Sequence, residues 1–136
     1  MGFYWLYFSS QKWFDNSWVK PILEHAAASN PNPAYTALLT NLVIPNWLII
    51  TQIQTITEAM IGSLLLIGFL TRIAGTLGAI LTINLAVCFL GLLNEPALVW
   101  FYVLSASSSM TVAVSDAGRI FGIDGMLTNK LHSAPS

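Results

Sequence analysis

The chain has 136 residues, 55% of them hydrophobic and 8% charged, with five Lys and Arg against six Asp and Glu for a net charge of −1. Soluble domains solvate their outer face with roughly 25% charged residues, so this composition excludes an ordinary water-facing globule. The lack of a basic cluster excludes nucleic acid and a polybasic lipid anchor as partners. A single cysteine, Cys88, excludes an internal disulfide, a CxxC redox pair and a Cys-rich metal or iron–sulfur site within this chain, so any redox cofactor is organic or belongs to a partner.

The length fits one domain, residues 1–136, and long apolar runs divide it. The N-terminal run is aromatic and apolar from Gly2 to Phe8, but Lys12 arrives early, so a helix over residues 1–14 reaches only about half of a bilayer core. It reads as a partial first span, truncated here or completed by a neighbour. It lacks the basic start and small-residue cleavage site of a signal peptide. From Gln11 to Pro33 the chain is polar and reads as extramembrane, ending in the loop Asn30, Pro31, Asn32, Pro33. Between Ala34 and Ile44, the residues Tyr35, Leu38, Leu39, Leu42 and Val43 fall near one helical face, the pattern of a short helix lying in the interface. Pro45 and Asn46 suit the turn into a spanning helix, with Asn46 as N-cap and Trp47 in the headgroup belt.

Three spans follow. Residues 46–70 and 73–93 are each long enough to cross a bilayer core that needs about 20 helical residues. Residues 97–115 form the last span after the turn at Asn94, Glu95 and Pro96, and polarity returns at Asp116, Gly118 and Arg119. The expected fold is therefore all-α: an integral membrane four-helix bundle with a truncated first helix and a short interfacial helix before the second. That makes it a multi-pass protein of the cell membrane, with the lipid bilayer as its first partner.

Glu58 lies midway along its span, which puts its carboxyl near the bilayer midplane. An ionised, unpaired acid there costs at least several kcal/mol, so such residues face the bundle interior. Thr51, Gln54 or Thr55, Glu58 and Gly62 follow one helical stripe of polar and small residues, and that stripe is expected to point inward. Two roles fit Glu58: proton relay or hydrogen bonding to a quinone or substrate oxygen, and a protonated acid that ties two helices together. On the next span Asn84 matches Glu58 in depth and is a candidate hydrogen-bond partner for it, acting as interhelical glue or as a ligand contact. Gly75, Gly78 or Ala79 and Thr82 form a small-residue face, and Cys88 reads as a small buried hydrophobe. In the last span Ser105, Ser108 or Ser109, and Val112 share a side, suited to close packing or to a polar cavity. Arg72, Asp116 and Arg119 sit at membrane ends, where they snorkel or pair. His25 and His132 stand alone in polar segments, and no metal site is expected.

Several of these stretches resemble the DoxX-like family, in particular its DoxD branch. They are Asn30-Pro31-Asn32-Pro33 with Tyr35 and the run to Asn46; the core Glu58-Ala59-Met60-Ile61-Gly62 with Leu66, Gly68, Leu70, Thr71 and Arg72; and the close from Ala117-Gly118-Arg119 through Phe121-Gly122 to Asp124. At the end of the first helix Ser10, Gln11, Lys12 and Trp13 meet the family's pattern only at Lys12. The resemblance implies a four-helix membrane protein, and for the DoxD branch a subunit of thiosulfate:quinone oxidoreductase that passes electrons from thiosulfate to a membrane quinone while tetrathionate forms. On that reading Glu58 handles the proton, and Trp47, Arg72 and Asn84 shape a quinone pocket. With no dithiol, haem ligand pair or flavin motif in the sequence, other subunits of the complex must deliver the electrons. The alternative is a non-catalytic structural subunit of a larger respiratory or photosynthetic membrane complex. A transporter is disfavoured because no inverted repeat of broken helices is present.

Overall fold

In the computed structural model, residues 1–92 and 96–115 are described, and no strand occurs among them. The elements are α1 (Gly2–Phe14), α2 (Val19–Ser29), α3 (Pro33–Leu38) running into a π turn (Leu39–Val43), α4 (Trp47–Ile67), α5 (Thr71–Cys88), a 3₁₀ turn (Leu90–Leu92) and α6 (Pro96–Val114). The expected turn at Asn94 and Glu95, the pair Asp116 and Arg119, His132 and the motif closing at Asp124 lie outside the described residues.

Of these helices, α4 and α5 are long and apolar enough to cross a membrane. α1 packs on α4, α4 on α5 and α5 on α6. Close approach sets the first and last of these contacts. A Cβ on Gly62 would stand 2.8 Å from Leu6 Cγ and 2.9 Å from the Gly2 carbonyl oxygen. One on Gly75 would stand 2.7 Å from Ala113 N and 2.8 Å from the Ser109 carbonyl oxygen. The small-residue faces thus bring backbone against backbone, as in helix pairs that associate without a hydrophobic driving force.

The burial pattern is inverted relative to a soluble bundle. Thr51, Thr55, Glu58, Thr71, Thr82, Ser105 and Ser109 are buried, whereas Ile49, Ile53, Met60, Ile73, Leu77, Ile80, Leu104 and Val114 are exposed. Two of the buried hydroxyls return to the helix backbone, Thr55 to the Thr51 carbonyl at 2.7 Å and Thr82 to that of Gly78 at 2.8 Å. Such a surface suits hydrocarbon, because lipid satisfies the outer Ile and Leu while the helices satisfy their own polar groups.

Three local features depart from the sequence reading. The stretch taken as polar and extramembrane contains α2, whose Leu23, Ala26 and Ala27 are buried with Leu39 and Cys88 in one cluster. The interfacial helix is wound as a π turn in its second half, so Leu39 is buried while Leu38 and Leu42 of the expected apolar face are exposed. Asn46 occupies the N-cap position of α4, but its amide turns back and donates to the Leu42 carbonyl at 2.9 Å. At its far end α4 stops on Gly68, whose φ of 65° places it in the left-handed region that glycine tolerates.

The Asn-Pro-Asn-Pro loop has a clear mechanical role. Asn30 Nδ2 donates to the carbonyls of Val87 at 2.9 Å and Cys88 at 3.0 Å, capping the C-terminus of α5. Asn32 Oδ1 accepts from Ala34 N and Tyr35 N, capping α3, and Pro33 takes the first helical position where a missing N–H is harmless. One tetrapeptide therefore ties α2 and α3 across the end of the bundle.

Candidate ligand-binding cavity

Beneath α2 and α3 lies a cavity of about 420 Å³. Its walls come from α1 (Trp5, Phe8, Lys12), α4 (Thr51, Gln54, Glu58), α5 (Asn84, Cys88), α6 (Phe101, Tyr102) and the covering layer. They are mainly apolar, with a few polar groups converging at the inner end, the usual make-up of a small-molecule site.

At the inner end sits an ion pair. Lys12 Nζ donates to Glu58 Oε1 at 2.5 Å, with the side chains 9% and 1% exposed. Gln54 Nε2 donates to the same oxygen at 3.0 Å. The other oxygen, Glu58 Oε2, is buried without a partner. Helix geometry explains how a lysine near the end of one helix reaches a mid-helix acid. Gly2 lies beside Gly62 and Leu66, so α1 runs antiparallel to α4. Side chains lean toward the N-terminus of their own helix, so Lys12 and Glu58 lean toward each other. Gln54, one turn before Glu58, lies where the carboxyl points.

Trp5 is 2% exposed, and its Nε1 also lacks a partner. It stands beside Gly78, as does the partnerless Ser109 Oγ, where α1, α5 and α6 meet. Above it Ser105 Oγ donates to Tyr4 OH at 2.9 Å, and Tyr4, Phe8 and Phe101 pack with ring centroids 4.9 to 5.8 Å apart. The serine face of α6 thus serves close packing and polar contacts to α1.

Of the four residues assigned to a quinone pocket from the resemblance, Glu58 and Asn84 line the cavity. They are not bonded to each other. Asn84 Oδ1 accepts from Tyr35 OH at 2.6 Å, and Lys12 and Gln54 take the place expected for it at Glu58. The pairing expected from matched depths fails because α1 lies nearer to that face of α4. Trp47 packs against the buried cluster of Leu23, Ala26, Ala27, Leu39 and Cys88 and is not among the lining residues. Arg72 is exposed at the turn between α4 and α5, also away from the lining. Cys88 lines the cavity as a buried free thiol. No group of His, Cys, Asp and Glu able to hold a metal occurs among the described residues.

Lys12, Trp5 and Tyr35 are the residues that sequence reasoning did not place at the site. Lys12 carried a signal, since a cation within an apolar N-terminal helix requires a partner acid. Outside the bundle, Asp15 Oδ1 accepts from Ser17 Oγ at 2.7 Å and Ser17 N at 2.9 Å, and these bonds hold its carboxyl below the usual aspartate range.

Fold and site together define a helical protein with membrane-compatible surfaces and a buried Lys–Glu pair at the inner end of an apolar cavity. The chain belongs to the DoxD family: the family model described as the TQO small subunit DoxD matches residues 23–135. That family is membrane-associated. The match takes in Glu58, Arg72 and Asn84, and begins inside α2, after Trp5 and Lys12. No curated protein and no solved structure matches the chain.

Proposed function

We propose that this chain is the membrane subunit at which a thiosulfate:quinone oxidoreductase meets its quinone. α4, α5 and α6 cross the cell membrane and α1 is a partial first span beside them, together a four-helix, multi-pass bundle, and α2 and α3 lie in the interface. The observation that supports this reading is the buried Glu58 carboxyl in the wall of a mainly apolar cavity, bonded through one oxygen to Lys12 and Gln54 and with the other unpartnered.

A quinone on reduction takes two electrons and two protons. The cavity residues match that requirement in kind. Apolar walls from Phe8, Leu85 and Phe101 suit a flat ring, and Lys12 supplies N–H donors. On this reading Glu58 holds a proton and passes it on, with Gln54 bonded to the carboxyl. The same cavity is ill suited to thiosulfate. That dianion requires uncompensated positive charge, and among the described residues lining the cavity the one cation, Lys12, is already neutralised by Glu58. Joining two thiosulfates as tetrathionate releases the two electrons, and that step belongs to other subunits, which carry the redox groups this chain lacks.

The test is thiosulfate-dependent reduction of a short-chain quinone by the detergent-purified complex, wild type against Glu58→Gln. The variant keeps the shape of the side chain but cannot ionise. Loss of about a hundredfold or more with assembly intact, the lower edge of general acid–base contributions, supports the role. Full activity in the variant overturns it, and no activity in the wild-type complex favours a purely structural subunit.

A further inference from the structure

The cavity's mouth and its inner end differ in chemistry, and the difference concerns where a ligand comes from. The polar groups Lys12, Gln54 and Glu58 converge at the inner end. Among the outer lining residues are Trp18, Ile22 and Leu38, large and apolar yet 41%, 37% and 44% exposed. Trp18 is held in place, its Nε1 donating to the Asp15 carbonyl at 2.8 Å, so the indole presents a fixed apolar face.

α2 shows which way that mouth faces. Residues two apart on a helix point about 200° from each other, so Trp18 and Ile22 lie on the flank opposite Lys20 and Glu24. The charged flank holds an exposed i,i+4 ion pair at 3.9 Å, suited to water and headgroups. Between the flanks, Leu23, Ala26 and Ala27 are buried against the bundle. The helix therefore has three sectors, and the cavity opens on the one with Trp18 and Ile22, where His25 follows a turn later outside the lining.

We infer that the cavity is loaded sideways from the bilayer and takes a lipid-tailed ligand, its ring at Lys12 and Glu58 and its tail leaving between α2 and α3 past Trp18, Ile22 and Leu38. A water-soluble ligand has no use for three exposed apolar side chains at an entrance. A long hydrocarbon tail does, since it can run from the cavity into lipid past side chains as apolar as itself. This inference rests on the quinone reading above and adds the entry route and the requirement for a tail.

The experiment measures binding to the full chain in nanodiscs by quenching of tryptophan fluorescence. Two probes are compared: a dimethoxy-methyl-1,4-benzoquinone bearing a decyl tail, and the same ring without a tail. Ile22→Trp narrows the mouth, Leu38→Ser makes it polar, and Lys20→Ala alters the charged flank as a control. Both mouth variants are expected to weaken the decyl probe about tenfold, or about 1.4 kcal/mol, and to leave the tailless ring unchanged. Lys20→Ala is expected to change neither. Comparing variants with wild type cancels the decyl probe's partitioning into lipid. Equal weakening of both probes, or of neither, overturns lateral entry while leaving the quinone site standing. Failure of the wild type to bind either ring overturns the site itself, and the entry route with it.

Discussion

Replacing Lys12 by Met tests the buried ion pair most directly. The two side chains are 9% and 1% exposed, so water does little to screen them, and Met keeps the length of the stem that crosses from α1 to α4. The substitution leaves Glu58 with Gln54 Nε2 as its remaining donor and with no counter-ion. Removing one partner of a buried pair destabilises by about 3–5 kcal/mol, because the charge left behind is uncompensated, whereas replacing both partners by neutral groups of similar volume is often close to neutral. Lys12→Met is therefore expected to lose about 3–5 kcal/mol and the double variant Lys12→Met, Glu58→Gln to recover most of it. Glu58→Gln alone is expected to cost less than Lys12→Met. The freed ammonium lies two residues from the end of α1 at Phe14 and can swing toward the interface on its flexible stem, but Glu58 lies mid-helix and has no such escape. The assay is denaturant titration in mixed micelles, followed by tryptophan fluorescence, on all four members of the cycle. A double variant as unstable as Lys12→Met would refute the pairing as the source of the effect, and equal losses in the two single variants would refute the escape of the freed ammonium toward the interface.

Other consequences are more local. Asn30→Ala removes both side-chain bonds to the last carbonyls of α5 and should cost about 1–3 kcal/mol, at about 0.5–1.5 kcal/mol per bond; faster alkylation of the buried Cys88 would report fraying of that end. Gly75→Ala puts a methyl 2.7 Å from the backbone nitrogen of Ala113, where nothing can yield without separating α5 from α6, and should cost about 1–3 kcal/mol. Gly78→Ala, whose nearest contact is the Trp5 indole nitrogen at 3.2 Å, should cost less on the same titration. Ser17→Ala removes the hydroxyl bond that favours ionised Asp15. Because the folded-state value is depressed, the stabilisation exists above the ordinary aspartate range and is lost as pH falls through the lowered value. NMR titration of the carboxyl should show Asp15 in the variant moving back up toward that range.

Much of this architecture was written in the periodicity of the chain. The apolar runs located α4, α5 and α6 to within a few residues, and the stripe Thr51, Thr55, Glu58 and Gly62 faces inward as a helical repeat requires. The small residues at Gly75, Gly78 and Thr82 likewise lie on the buried side of α5. Such features are local, because hydropathy and spacing along one helix fix which face is which. α2 escaped notice because its buried residues are mostly alanine, which gives a weak apolar signal, and because its charged and apolar flanks average to a polar stretch.

The amino-acid sequence alone determined that the protein is helical, that its outer surface is apolar, and that an acid lies buried midway along a helix, since those follow from composition and one-dimensional pattern. It did not determine that acid's partner. Asn84 and Lys12 were both available, and depth along the membrane favoured Asn84, but the choice depends on which helix packs against α4 and in which direction it runs. The Gly2–Gly62 contact settled that by setting α1 antiparallel at backbone distance, so that Lys12 meets Glu58 and Asn84 is left to Tyr35. The cavity is likewise a product of tertiary structure, because its walls are assembled from α1 to α6 and no single segment encodes the space between them.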